Sequence, residues 1–254
     1  MSSNDLITII LAGGLGKRML SETPKVLHIV KDKPMICHVI DRALELNTKY
    51  ILVIVGKYKQ LIQETILIYY SEDIHNKIIF ITQPEPLGTG NAVYCCIDWL
   101  NNYSNYKTTR ILILSGDVPL ITKDTLYQFI NINSSSNCIL TYELEDPKGY
   151  GRIIIDNLLK SVKEIIEEKD CSEKQLNINI VNCGIYCLDY NTLVSTLPYL
   201  TNNNASGEYY LTDMISLSYN QHSFIPIILP KERHIEMMNI NTKEDLENIN
   251  KKLD

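Results

Sequence analysis

The segment Leu11-Ala12-Gly13-Gly14-Leu15-Gly16-Lys17-Arg18-Met19, with Pro24-Lys25 shortly after it, concentrates glycine and positive charge behind an apolar run, Leu6 to Leu11. That run reads as a buried strand. Glycines let backbone N–H groups approach an anion, and Lys17, Arg18 and Lys25 can offset its charge. The composition is that of a phosphate cradle, although alone it also describes a surface turn. It is not a Walker A loop, because Arg18 follows Lys17 where that loop needs a Ser or Thr for magnesium. A dinucleotide fingerprint fails on the glycine spacing, and no acidic residue closes the second strand at Gly56.

Two further strand ends carry chemistry. Gln83-Pro84-Glu85-Pro86-Leu87-Gly88-Thr89-Gly90 leads from an apolar run into a helix, giving either a close-approach backbone for an acceptor or a rigid turn. Gln83 can both donate and accept, as reading a pyrimidine edge requires. Ser115-Gly116-Asp117-Val118-Pro119-Leu120 places a carboxylate at the end of another buried strand, suited to a hard divalent cation or to capping the next turn. With one carboxylate there, phosphates, water and a distant polar residue must complete any magnesium shell.

Other segments are ambiguous by residue type. Gly149-Tyr150-Gly151-Arg152 reads as a hairpin turn and Glu167-Glu168-Lys169-Asp170 as a solvated charge run. Asn182-Cys183-Gly184-Ile185 interrupts an apolar strand, which costs packing unless backbone or ligand approaches. Residues 202–213 read as a loop and a helix start. His28, His38, His75, His222 and His234 lack metal-ligand spacing, and no Gly-x-Ser-x-Gly elbow or Cys-His arrangement supports a covalent nucleophile. Direct transfer to a bound acceptor is the simpler chemistry.

The elements that must position these residues follow from periodicity. Short β-branched runs near Ile7–Leu11, Ile51–Val55, Ile78–Thr82 and Ile111–Leu114 alternate with helical stretches at Met35–Leu46, Lys59–Tyr69, Asn91–Leu100 and Lys123–Ile132. This implies an α/β fold, a Rossmann-like, mostly parallel sheet flanked by helices, with ligands at the strands' carboxyl ends. Strands at Cys138–Leu144, Gly151–Ile155, Leu159–Ile165 and Ile178–Leu188 are predicted to form a small mixed β-rich lobe over one side of the cleft. Helices at Tyr190–Leu200 and Thr212–Tyr219, a strand near Phe224–Leu229 and a helix from Lys243 to Leu253, capped by Asn241-Thr242, complete the chain. No repeat or Gly/Ser/Pro linker divides it.

The 254 residues, 45% of them hydrophobic, suffice for one core. The net charge of -6 disfavours nucleic acid as a partner. Seven cysteines without a C-x-x-C pair read as core thiols of a reducing compartment. Apolar runs too short for a membrane and the lack of a signal-peptide pattern lead us to expect a soluble, cytoplasmic protein with no membrane partner.

Together these segments resemble the sugar-1-phosphate nucleotidyltransferase family, most closely its bacterial uridylyltransferase domains, over nearly the whole chain. The resemblance rests on residues 11–19, Pro24-Lys25-Val26-Leu27-His28, Gln83 to Gly90, Gly116 to Leu120, Gly149 to Arg152, Glu167 with Lys169-Asp170, Asn182 with Gly184-Ile185, and 202–213 in family order. It implies one nucleotidyltransferase domain over 1–254: a mainly nucleotide-binding part (1–135), a mainly sugar-binding part (136–235), and a metal segment with a terminal helix (236–254). By that resemblance Leu11, Ala12, Gly13 and Gly14 line the nucleotide while Arg18 and Lys25 face its phosphates. Gln83 and Gly88 contact uracil, with Thr89 near the sugar side, and Gly151, Glu167 and Asn182 hold N-acetylglucosamine. Asp117 binds Mg2+ with an asparagine from Met238-Asn239-Ile240-Asn241, placed at Asn239 with Asn241 as the alternative.

The implied reaction is in-line transfer of uridylyl from UTP to N-acetylglucosamine 1-phosphate, giving UDP-N-acetylglucosamine and pyrophosphate. Glucose 1-phosphate or TTP as substrate, and a non-catalytic module that binds a nucleotide sugar and regulates a partner, are the alternatives. Three departures from the family pattern stand out. Lys17 replaces the usual threonine, Gly13 replaces the usual second alanine, and the sequence to Asp254 has no hexapeptide repeats of the left-handed β-helix that adds acetyltransferase activity in bifunctional members. Neither acetyl-CoA chemistry nor the trimer organised by that helix is therefore expected, and a monomer or dimer fits equally.

Overall fold

The computed structural model describes residues 5–103, 108–132 and 136–253; the side chain of Lys17, one of the cations of the glycine-rich segment, also lies outside the described residues. The chain runs through β1 (Leu6–Leu11), a small hairpin of β2 (Ile29–Val30) and β3 (Lys33–Pro34), α1 (Met35–Glu45), β4 (Tyr50–Val55), α2 (Lys59–Ile68), α3 (Glu72–His75) and β5 (Ile78–Thr82). There follow α4 (Thr89–Tyr94), α5 (Ile97–Asn101), β6 (Arg110–Ser115), α6 (Lys123–Asn131), β7 (Asn137–Glu143), β8 (Arg152–Asp156), β9 (Ser161–Ile166) and α7 (Glu173–Leu176). The chain closes with β10 (Ile180–Asp189), α8 (Tyr190–Thr196), α9 (Asp213–Ser218), β11 (Phe224–Ile228) and α10 (Lys243–Leu253).

A nine-stranded sheet in the order β5-β4-β1-β6-β10-β7-β11-β9-β8 organises these elements. Its first four strands are mutually parallel, as crossover helices require. β10 runs antiparallel to both β6 and β7 and joins the two halves. The β-rich part expected as a lobe over the cleft is thus the far half of one continuous sheet, because β10 pairs with β6 along its edge.

Alternation along the strands supplies both faces of the sheet. In β4, Ile51, Val53 and Val55 pack with α1 residues such as Ile36 and Ile40, while Leu52 and Ile54 pack on the opposite face with Val93, Leu193 and Met214. The sheet is therefore covered on both sides, and the strand ends are where polar residues find space.

Two helices are shorter than periodicity predicts. The stretch Asn91–Leu100 is split into α4 and α5 at Cys95-Cys96, where Cys96 N–H bonds to Val93 three residues back and tightens the turn. α8 gives way at Leu197 to a 3-10 turn, because Pro198 lacks the N–H that would continue an α-helix. The interruption in β10 is a bulge: the pairing with β7 shifts register between Asn182 and Ile185, and the Asn182 Oδ1 accepts the Gly184 N–H at 3.0 Å. Among the described residues no helix is long and apolar enough to cross a membrane.

Candidate active site

A cleft of about 490 Å³ opens at the carboxyl ends of β1, β5 and β6. Leu11, Ala12, Gly13, Gly14, Lys25, Gln83, Gly88, Thr89 and Asp117 all line it, joined by Ser115 and Glu208. Parallel strands place their following loops side by side at one edge of the sheet, and residues far apart in sequence meet there.

Gly16 explains how the first loop turns. Its φ is +58°, and a Cβ there would lie 2.6 Å from the Cβ of Lys25, so the loop closes onto Lys25 only with glycine at this point. Lys25 opens a 3-10 turn, Lys25–Leu27, with Val26 and Leu27 buried beneath it. Its ammonium bonds to Asp117 Oδ2 and, at 2.8 Å, to Asn241 Oδ1. The same Asn241 oxygen accepts from the Arg18 guanidinium at 2.9 Å. Asp117 Oδ1 takes the Ser115 hydroxyl at 2.6 Å, which leaves the carboxylate fully engaged.

The asparagine at this cluster is therefore Asn241, where sequence placed Asn239. The backbone gives the reason. Ile240 N–H bonds to the Asp117 carbonyl at 3.1 Å and docks the 239–241 segment onto the aspartate turn. At the start of α10, Asp245 accepts the N–H groups of Asn241 and Thr242 at 2.8 Å, while Thr242 Oγ1 accepts the Asp245 N–H. Thr242 does the capping, which frees the Asn241 side chain to face the cations.

After β5, Gln83 is 7% exposed and its Nε2 donates to Gly88 O at 3.0 Å and to Asn91 Oδ1 at 2.9 Å. Gly88 has φ +110°, and a Cβ on it would stand 2.6 Å from the Tyr209 carbonyl. The loop is stitched to the 202–213 segment by Tyr209 N–H to Leu87 O and Gly90 N–H to Tyr209 O, both 2.8 Å. Thr89 joins in by accepting the Leu211 N–H at 3.0 Å.

Gly151, Glu167 and Asn182 do not line that cleft; they form a second cluster. Asn182 N–H donates to Gly151 O at 2.9 Å, and a Cβ on Gly151 would be 3.5 Å from both Glu167 carboxylate oxygens. The Asn182 carboxamide also bonds to the Tyr186 hydroxyl at 2.8 Å. Burial pushes the Glu167 carboxyl above the usual carboxylate range; the Thr212 hydroxyl at 3.1 Å opposes the rise, and Asp213, Asp170 and Glu208 add to it. Glu208 both lines the main cleft and acts on Glu167, so it connects the two regions.

The charge run around Glu167 is half-buried at Glu167 and Glu168 and exposed at Lys169 and Asp170, and its exposed members also hold loop contacts. Glu168 accepts the Gly149 N–H at 2.8 Å, Lys169 reaches Ser206 at 3.3 Å, and Asp170 accepts the Ala205 N–H at 2.8 Å. Each charge is spent on a hairpin or loop contact. Ser115, within the Asp117 motif, Glu208 and Thr212, within 202–213, and Asn91 carried no individual role in the sequence. Of these only Asn91 carried a local signal, as an amide one turn into the helix that follows the glycine loop.

Of the histidines, His38 bonds to Val30 O, His75 to Leu67 O and His234 to the Tyr142 hydroxyl. Cys37, Cys96, Cys138, Cys183 and Cys187 are buried free thiols, and burial pushes Cys138 up to about 11 and Cys37 up to about 12. Such thiols are poor nucleophiles.

A glycine-lined cleft at parallel strand ends, with cations meeting a strand-end carboxylate and a carboxamide, is suited to the phosphates of a nucleotide. The chain belongs to the nucleotidyl transferase family, whose model matches residues 7–226. It is 42% identical over 252 residues to a mimivirus protein (Acanthamoeba polyphaga mimivirus) named as a probable UDP-N-acetylglucosamine pyrophosphorylase, covering 97% of this chain and 96% of that protein. It is 38% identical over 242 residues to the bifunctional protein GlmU of Clostridium botulinum, and 41% identical over 236 residues to that of Saccharophagus degradans. These matches take in 94% and 92% of this chain, which spans about half the length of the bifunctional relatives, 50% and 49%. A Bacillus anthracis structure described as a glucose-1-phosphate thymidylyltransferase shares the fold, with a TM-score of 0.71 over 97% of this chain and 94% of that one at 21% identity.

Members of this family use a divalent cation, and the donor chemistry here fits one. The Lys25 ammonium already lies between a carboxylate and a carboxamide oxygen, a position that favours positive charge, and both donors are the hard oxygens magnesium prefers. Among the described residues no group of three or more His, Cys, Asp and Glu side chains is placed for a metal. Any ion here relies on substrate oxygens and water.

Proposed function

We propose that this chain transfers uridylyl from UTP to N-acetylglucosamine 1-phosphate, forming UDP-N-acetylglucosamine and pyrophosphate. The observation that carries this reading is the convergence of Lys25 and Arg18 on Asp117 and Asn241 at the mouth of a glycine-lined cleft, with an amide reader at one end and a buried carboxylate beyond the other. The mimivirus relative, matched nearly end to end, supports the choice of product. For the bifunctional relatives the matched region is about half of each protein, and the proposal concerns uridylyl transfer alone.

The sugar phosphate is already an anionic nucleophile, so the site needs alignment and charge neutralisation rather than a general base. One of its phosphate oxygens attacks the α-phosphorus of UTP; a new P–O bond forms, the α–β bridge breaks, and the bridging electrons leave with pyrophosphate. Backbone N–H groups of the 11–16 loop receive the phosphates, and Lys25 and Arg18 exchange their present partners for phosphate oxygens as charge builds. Gln83 reads the base, while Glu167 accepts from sugar hydroxyls and Asn182 with Gly151 borders the acetamido side. Magnesium held by Asp117 and Asn241 supplies further charge neutralisation when bound.

The test is pyrophosphate release across a panel of UTP, TTP, CTP, ATP and GTP against N-acetylglucosamine 1-phosphate, glucose 1-phosphate and glucosamine 1-phosphate. UTP with N-acetylglucosamine 1-phosphate is expected to give the highest kcat/KM in magnesium. Equal efficiency with glucose 1-phosphate removes the acetamido specificity, and no turnover with any pair, alongside tight UDP-N-acetylglucosamine binding, would favour a regulatory binding module instead.

A further inference from the structure

We infer that Asn91 is a positioning residue that locks the carboxamide of Gln83 with its oxygen toward the base, and thereby sets discrimination between uracil and cytosine nucleotides. The inference rests on the base-reading role proposed above for Gln83.

Gln83 Nε2 has two hydrogens, and both are committed: one to the Gly88 carbonyl at 3.0 Å, the other to Asn91 Oδ1 at 2.9 Å. The carbonyl can only accept, and it cannot turn away, because Gly88 is held at φ +110° against the Tyr209 backbone. Flipping the Gln83 amide would set two oxygens face to face at Gly88, and would keep the bond to Asn91 only if the Asn91 carboxamide turned over with it. The remaining polar atom, Oε1, points toward Gly13, where a Cβ would approach it to 3.2 Å, and Gln83 is part of the cleft wall at that point.

A cleft-facing Gln83 held in this way is an acceptor only. Uracil offers one donor on its pairing edge, the ring N3–H. Cytosine places a lone pair at that atom and moves its donor to the exocyclic amine, so an acceptor fixed in place prefers uracil through repulsion as well as attraction. A glutamine free to rotate would read either base. Asn91 is half-buried at the third position of α4 and supplies the second anchor of the Gln83 NH2, so that the amide plane, and not only its sense, is held.

The test uses the full chain with three variants, measuring UTP and CTP kinetics at saturating N-acetylglucosamine 1-phosphate and nucleotide binding by titration calorimetry. Asn91→Leu keeps shape and removes the acceptor; Asn91→Ala does so with a smaller side chain should the leucine fail to fold. Either should raise the KM for UTP and lower the UTP-to-CTP preference, each by about tenfold, with kcat for UTP and the KM for the sugar phosphate little changed. Asn91→Asp keeps an oxygen at the same place and should retain the wild-type preference. A preference unchanged in both acceptor-less variants, or equally lost in Asn91→Asp, overturns the inference. Binding separates this outcome from failure of the sugar assignment: UTP bound over CTP without turnover, the preference collapsing in Asn91→Leu, sustains the role of Asn91 while the proposed acceptor falls. Wild-type protein that binds UTP and CTP equally sinks Gln83 as the reader and Asn91 with it.

Discussion

At the proposed phosphate end of the cleft, Lys25 and Arg18 meet Asp117 and Asn241 in a network where each charge has an opposite or dipolar partner. At the proposed sugar end, a separate cluster beyond the cleft lining, Glu167 lies among Asp170, Glu208 and Asp213, with the Thr212 hydroxyl opposing the rise they and burial cause. Burial and Asp170 raise the Asp213 carboxyl as well. The contrast separates two environments by the groups each can accept. Cations that already hold partners can exchange them for phosphate oxygens, whereas crowded carboxylates repel phosphate and welcome neutral hydroxyl donors. Under the proposed function, that polarity orients the sugar phosphate with its phosphate toward Lys25 and its ring toward Glu167.

The largest effect should come from breaking the phosphate end at its centre. Asp117→Ala leaves Lys25 without its carboxylate and removes the strand-end metal donor, and should lower kcat by about 10²-fold or more while circular dichroism shows the fold retained. Wild-type kinetics in that variant would end the metal assignment. Next in size, Lys25→Ala and Arg18→Ala should cost about 10- to 100-fold in turnover, because a phosphate-facing cation matters most as charge develops. Lys25 should cost more than Arg18: the Lys25 side chain is 15% exposed, where screening is weaker, while the Arg18 bond is exposed.

A comparison inside the terminal segment sharpens the geometry. Asn241→Ala should raise the magnesium concentration needed for half-maximal rate by about tenfold, since its oxygen faces the cluster, while Asn239→Ala should stay within about twofold of wild type. The reverse order in a magnesium titration would return the role to Asn239.

The sugar end should respond through KM. Glu167→Gln keeps an oxygen for the Thr212 hydroxyl but loses the charge, and should raise the KM for sugar phosphate about tenfold without moving that for UTP. Stability is expected to move least, and in the opposite sense. Because the folded-state value of Glu167 is raised, its ionisation opposes folding above that value and costs nothing below the unfolded value. Glu167→Gln should therefore melt slightly higher than wild type near neutral pH, the gain vanishing as pH falls into the ordinary carboxylate range. Thermal melts showing a gain that persists or grows at low pH would contradict the raised value.

Sequence by itself determined the parallel half of the sheet and many of the residues that line the glycine-rich cleft. Each β-branched run from Leu6 to Ser115 is short, apolar and followed by a turn, so local pattern suffices to place strands, and the order of strands puts residues 11–16, Gln83 and Asp117 at one edge. The eventual partners of β10 were not legible. An apolar strand can pair with any other, and only the packed sheet shows it joining β6 to β7 and bulging at Asn182. Composition carries no record of the loop at 204–206 to which the exposed Lys169 and Asp170 bond. Asn239 and Asn241 are two residues apart and chemically identical. Their difference is decided by the Ile240 bond to the Asp117 carbonyl and by Thr242 taking over the cap of α10, contacts between segments more than 100 residues apart in the first case and within one helix turn in the second.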